Sequence, residues 1–277
     1  MAQKITKSLT KFYTHGGTFH ADDVFATAIL SVYLDREIIP QRVFNLDGVV
    51  DDEETLIYDI GGGKYDHHQE GSEVRNDEEK TPYSSFGLLW REIGPELVGE
   101  LEADMFDRYF VKAIDLTDNT GISNPMSQTI STFNPSWKGR VSPDCCFRQA
   151  VRFAGSILQM HLNAIQDKLD AQELANQFIS EAKDGIAVFD RFVPAARLLS
   201  ESECIFQVFP SNRGGWNLQT IKVPNQDKAL DKKSLPASWL EPGHAPNGMS
   251  FCHKALFLAA FDTEEHAIAA AYKALAI

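Results

Sequence analysis

The first hundred or so residues alternate between short apolar runs of strand length and longer stretches of helical period. Lys11–Thr14 ends a short strand and enters a turn at Gly16 and Gly17. From Asp22 onward, Ala26, Ile29, Leu30 and Tyr33 share one helical face. Gln41–Phe44 predicts a second strand, and Thr55–Tyr58 a third that enters the run Gly61, Gly62, Gly63. The acidic, polar stretch Glu70–Lys80 predicts an exposed loop. Helical period returns after Pro82 through Phe86, Leu89, Trp90 and Ile93, and again over Leu101–Ile114. Strands separated by helix-length segments favour a parallel α/β sheet.

Asp144 to about Ala182 holds no proline and no turn signal except Gly155, which predicts one long helix or two consecutive ones. Phe147, Val151, Ala154, Leu158 and His161–Leu162 mark its buried face. The texture changes near Asp184. Ile186–Phe192, Cys204–Phe209, Trp216–Val223 and Lys254–Phe261 read as strands, with Ser211–Gly215 a turn between two of them. Thr263, followed by Glu264 and Glu265, starts a last helix, since acids suit the positive end of its dipole. The expected fold class is therefore α/β, with a parallel-sheet domain over 1–189 and a smaller mixed α+β domain over 190–277. Trp216 and Trp239 are expected in the core of the second.

Composition narrows the function. The hydrophobic fraction of 43% supports an ordinary core, and no apolar run approaches the roughly eighteen residues that span a bilayer. The lysines of Met1–Leu9 come without the apolar segment of a secretory signal, so a cytoplasmic location is expected, without a membrane partner. Cys145, Cys146, Cys204 and Cys252 lack C-x-x-C spacing and are expected as reduced thiols. A net charge of −13 with no basic block argues against wrapping long duplexes, whose affinity comes from neutralising phosphates. Short or single-stranded substrates fit better.

Three clusters concentrate histidine and aspartate at predicted strand or helix ends. They are Thr14-His-Gly-Gly-Thr-Phe-His-Ala-Asp-Asp23, Tyr58-Asp-Ile-Gly-Gly-Gly-Lys-Tyr-Asp-His-His-Gln69 and Asp115-Leu-Thr-Asp-Asn119. In an open parallel sheet, ligands bind beyond the carboxyl ends of the strands, where such segments converge. Carboxylates mixed with imidazoles suit manganese, with magnesium and other divalent ions possible. Two such ions can clamp the attacking and leaving oxygens of an in-line displacement. Without cations, so many neighbouring carboxylates would repel one another and pay for desolvation.

These segments resemble the MYG family of the wider DHH phosphoesterase group, which includes RecJ-type exonucleases and family II inorganic pyrophosphatases. Pro236–Trp239 and Met249–Lys254 look like the family's late motifs, so the resemblance covers nearly the whole chain. It implies a DHH-type N-terminal domain whose metal ligands match His15, His20, Asp22, Asp23, Asp59, Asp66, His67 and either Asp115 or Asp118. Asp23 stands where the family more often has glutamate, a shorter reach that puts direct ligation in doubt. Asp59 matches the bridging carboxylate. Of His67 and His68, one is implied to bind metal and the other to face the phosphate or orient a ligand; these two and Asp59 form the implied catalytic set. By analogy the C-terminal unit closes over the metals, with Arg213, Lys222, His253 and Lys254 as candidate substrate contacts.

The leading expectation is a 3′–5′ exonuclease acting on RNA or short single-stranded oligonucleotides with two divalent ions, Mn2+ first. Cleavage of a small phosphoanhydride or phosphomonoester is the alternative enzyme class, and a non-catalytic nucleotide or metal sensor the third. An oligomer is compatible with all of these.

Overall fold

The computed structural model describes residues 5–223 and 230–277, so Met1–Lys4 of the leading segment lies outside the described residues. The chain divides into two compact units, Met1–Ile165 and Gln166–Ile277. The division falls inside one helix, ahead of the texture change near Asp184.

The first unit is built on a three-stranded parallel sheet in the order β2-β1-β3, from β1 (Lys11–His15), β2 (Gln41–Val43) and β3 (Thr55–Ile57). Its register sets His15 beside Val43 and Tyr13 beside Ile57, so all three strands deliver their carboxyl ends to one edge. Helix α1 (Ala21–Tyr33) links β1 to β2 and is buried on every side from Ala21 to Leu30, not only along the predicted face.

Helix α2 (Ser85–Val98) packs against α1. The predicted helix over Leu101–Ile114 is longer and irregular. It comprises α3 (Glu100–Phe106), a π-helical turn (Asp107–Val111) and α4 (Lys112–Thr120). The segment expected to follow the helix, Asp115–Asn119, thus lies within α4. A short α5 (Pro125–Ser131) was not foreseen. Helix α6 (Pro143–Ser180) runs unbroken through Gly155 and buries Phe147, Val151, Ala154, Leu158 and Leu162 as its pattern predicts, while His161 is half-buried.

The second unit holds a five-stranded mixed sheet, β4 (Ile186–Val188), β5 (Phe206–Pro210), β6 (Trp216–Thr220), β8 (Leu258–Phe261) and β7 (Met249–Cys252), in that spatial order. The strand β7 and the short helix α7 (Ala196–Glu201) are additions to the sequence reading. Helix α8 (Glu264–Ala276) begins where expected, Thr263 accepting the His266 N–H at 3.2 Å. Its alanines bury against the sheet with Phe206, Phe261 and Trp239, while Trp216 is half-buried. All four cysteines are free thiols. Among the described residues, no helix is long and apolar enough to cross a membrane.

Candidate metal centre

The carboxyl edge of the parallel sheet gathers residues from all three sequence clusters. His15 ends β1, and Asp22 and Asp23 occupy the first turn of α1, where the positive end of the helix favours anionic groups. Asp59 follows β3 with φ of 58°, a left-handed conformation that aspartate tolerates better than most residues. His67 and His68 sit on the loop beyond, and Asp118 projects from α4.

Around His67, Nε2 lies 3.2 Å from Asp59 Oδ1, 3.1 Å from Asp118 Oδ2 and 3.6 Å from Asp22 Oδ2. Around His15, Nε2 lies 3.1 Å from Asp23 Oδ2 and 3.2 Å from Asp59 Oδ2. The two oxygens of Asp59 therefore face different histidines. His20 joins on the outer side, its Nδ1 3.5 Å from Asp118 Oδ1.

Proximity here is not hydrogen bonding. His15 Nε2, His67 Nε2, Asp22 Oδ1, Asp23 Oδ2 and Asp59 Oδ1 are all buried without a hydrogen-bond partner. Thr14 Oγ1, Arg42 Nε and Ser127 Oγ are also buried without a partner, but the first five belong to one group of side chains, and a shared partner would satisfy them together. A bound cation would supply it. Asp59–His67–His68, His15–Asp23–Asp59 and His20–Asp22–Asp118 each bring ligand atoms within 4.8 Å of one another, close enough to hold an ion.

Without a cation, the charge balance is strained. Burial raises Asp22 well above the carboxylate range, and the charges of Asp59, Asp118 and Asp23 add to it. Burial likewise raises Asp23, against the opposing pull of His15. At Asp59 burial is outweighed by the imidazoles of His15 and His67 close beside it, which hold it down to about 2. Burial opposes protonation of both imidazoles, yet their carboxylate neighbours raise His15 and His67 to about 11. Protons there occupy the positions that metal ions would take.

Supporting contacts fix the ligands. Asn119 Nδ2 donates to the carbonyls of Tyr83 and Asp115, so its Oδ1 is left to accept from His67 Nδ1 at 3.2 Å. That arrangement leaves Nε2 of His67 turned to the carboxylates, where a metal could bind it. Ser85 Oγ donates to Asp22 Oδ2 at 3.1 Å. Sequence reading assigned no role to Asn119 or Ser85. The adjacency of Asn119 to Asp118 was a signal for the first, and nothing local marked the second.

Two expected ligands are used otherwise. Asp66 accepts from the Gly62 N–H, the His68 N–H and His68 Nδ1, the last at 2.6 Å. Its oxygens are engaged in orienting His68, whose side chain is 60% exposed. Asp115 lies in a different network, bonded to Arg75 Nη2 at 2.7 Å, Ser84 Oγ at 2.5 Å and the Gly87 N–H at 3.2 Å. Of the two acids left open in the third cluster, Asp118 is the one beside the histidines. Asp23 has a divided role, its Oδ1 accepting the His20 N–H at 3.0 Å while Oδ2 faces His15. Arg75 also corrects the reading of Glu70–Lys80 as plainly exposed, since it is 5% accessible.

In the second unit the candidate contacts separate. Lys222 pairs with Asp231 at 2.6 Å. His253 Nδ1 accepts the Ala255 N–H at 3.1 Å and its ring packs 4.3 Å from that of Phe257. Lys254 is exposed, and Arg213 lines a cavity of about 650 Å³ with Phe192, Asn217 and Phe251.

The chain is similar to known proteins over nearly its whole length. Residues 11–275 match the model of the MYG1 exonuclease family, described as an uncharacterised protein family (UPF0160). A MYG1 protein of Schizosaccharomyces pombe (C694.04c) is 27% identical over 97% of this chain and 98% of its own. The MYG1 exonucleases of mouse and human are each 26% identical over 95% of this chain, covering 84% and 85% of theirs. No solved structure matches the chain. With nearly its whole length matched and the histidine and aspartate clusters converging on one edge of the sheet, the chain belongs to the MYG1 family.

Proposed function

We propose that the chain is a metal-dependent phosphodiesterase, a 3′–5′ exonuclease acting on RNA or short single-stranded oligonucleotides. The observation that carries this reading is the set of five buried, unbonded ligand atoms converging from His15, Asp22, Asp23, Asp59 and His67. His15, Asp23 and Asp59 would hold one ion; Asp22, Asp59, His67 and Asp118 would hold the other, with Asp59 between them. Manganese suits this mixture of carboxylate and imidazole. Bound there, two divalent ions would acidify a water and stabilise charge on the phosphoryl oxygens.

The protein's own groups supply the rest. Asp66, held below the ordinary carboxylate range by the Gly62 and His68 N–H groups and the His68 ring against the cost of burial, accepts from Nδ1 of His68. That bond fixes the ring and leaves Nε2 to hold or deliver a proton at the substrate. The names of the mouse and human relatives support nuclease activity, and the net charge of −13 favours short substrates over long duplexes.

Purified protein loaded with Mn2+ should release mononucleotides stepwise from the 3′ end of labelled single-stranded RNA, and should stop on chelation. Hydrolysis of pyrophosphate with none of any oligonucleotide would replace this substrate class by the small phosphoanhydride one. Two bound ions without hydrolysis of either would leave a binding protein.

A further inference from the structure

The residue after β2 is Phe44, and it is 84% exposed at the mouth of the candidate metal centre. Single exposed apolar side chains are common and mean little alone. This one is held in place. The β2–β1 register and the Gly16 N–H to Val43 carbonyl bond at 2.7 Å bring it beside Gly16. Three atoms of its ring lie 3.3–3.4 Å from where a Cβ on Gly16 would stand, and one lies 3.5 Å from that of Gly17. The ring thus rests against Gly16, where a larger residue would push it outward by a few tenths of an ångström. Gly17 has room for a Cβ, and it is its φ of 87° that calls for glycine there.

The same ring borders a cavity of about 480 Å³ shared with His15, His20, Asp59, Asp66 and His68. Its volume falls in the range of small-molecule sites, roughly 300–1,000 Å³. The polar side of that cavity is the metal centre, and Phe44 is its large apolar wall. A phosphate alone has nothing to place against an aromatic face, whereas a nucleotide carries a flat base a few bonds from its phosphate. Stacking of a base on an aromatic ring works for any base, which suits an enzyme that removes nucleotides in succession.

We propose that Phe44 is a base-stacking residue, receiving the nucleobase of the nucleotide whose phosphate reaches the metal centre. The inference rests on the phosphodiesterase reading and sharpens it: the substrate bears a base, and the base is read by stacking rather than by hydrogen bonds. The other exposed rings lining the cavity are the imidazoles of His20 and His68, which are polar and smaller than the Phe44 ring.

The test uses Mn2+-loaded protein. Phe44→Ala should lower kcat/KM on a short oligonucleotide roughly tenfold to a hundredfold relative to the same oligonucleotide with abasic 3′-terminal residues, the range expected for one lost stack. Phe44→Trp should restore the ratio, and the fluorescence it adds to the four native tryptophans should be quenched by AMP but not by ribose 5-phosphate. If Phe44→Ala keeps the wild-type ratio, or AMP leaves the added fluorescence unchanged while oligonucleotides are still cleaved, the stacking role is overturned and the phosphodiesterase reading stands. If wild-type protein cleaves neither oligonucleotide, both are overturned.

Discussion

Helix α4 carries two aspartates three residues apart, Asp115 buried and Asp118 half-buried, that meet opposite fates. Asp115 is enclosed in a completed network. Ser84 and Gly87 donate to one of its oxygens, and Arg75, itself paired with Asp107, donates to the other. The fit is close enough that a Cβ on Gly87 would stand 1.8 Å from Asp115 Oδ2. Asp118 faces His20 and His67 in a cluster whose neighbours keep five buried atoms unbonded. Both regions bury acids, so burial does not distinguish them. What separates a structural carboxylate from a candidate metal ligand is whether the protein supplies its donors.

The sharpest way to break the comparison is to remove the charge between the two histidines. Asp59→Asn replaces a carboxylate facing both His15 and His67 with a neutral amide, a poor bridge. Turnover should fall by several orders of magnitude and bound metal should drop from two ions toward one or none by elemental analysis. Retention of two ions would remove Asp59 from between them.

Next in size is His68→Ala. Its side chain is 60% exposed, so the thermal midpoint in chelator should barely move while turnover drops by roughly a hundredfold to ten-thousandfold, the span of a lost general acid or base. A much lower melting temperature of the metal-free variant would make His68 a structural residue.

Arg75→Met tests the other side. Breaking a buried ion pair leaves its partners uncompensated and costs about 3–5 kcal/mol. The variant should lose that stability in denaturant titrations, yet the folded fraction should still bind its metals. Loss of metal from the folded variant would show that the two regions are not separable. The cost should also depend on pH. Burial raises Asp115 from its ordinary 3.8 to about 6, against the pull of Arg75 and Ser84. A carboxyl raised on folding stabilises the fold when protonated, and that contribution is lost as pH rises through the folded value. Removing Arg75 raises it further, so the gap between variant and wild type should be widest above about 6 and narrow toward more acid pH.

The smallest effect is a proton count. In metal-free protein His15 and His67 are raised to about 11, so both are protonated at neutral pH and must release protons to an incoming cation. Metal affinity should climb with pH, and calorimetry in two buffers of different ionisation heat should report net proton release. Binding heats independent of buffer would mean that the ion binds elsewhere.

Much of this was legible in the chain. The periodicity of Lys11–Thr14, Gln41–Phe44 and Thr55–Tyr58, with helix-length segments between, determined a parallel α/β arrangement. Three short runs of histidine and aspartate then had to meet at its carboxyl edge. The buried face of α6 was also local information, because helical period needs no distant partner to declare itself. Tertiary structure alone decided which acids the protein satisfies. Asp115 and Asp118 look alike in sequence, and only the arrival of Arg75 from a loop forty residues earlier closes one and leaves the other open. Asp66 reads as a ligand until His68 and Gly62 fold back onto its oxygens. Phe44 reads as the end of a strand until β2 sets it over Gly16. In each case a hydrogen bond or a van der Waals contact depends on a partner distant in sequence or on a backbone turn, and side-chain type and spacing carry no record of it.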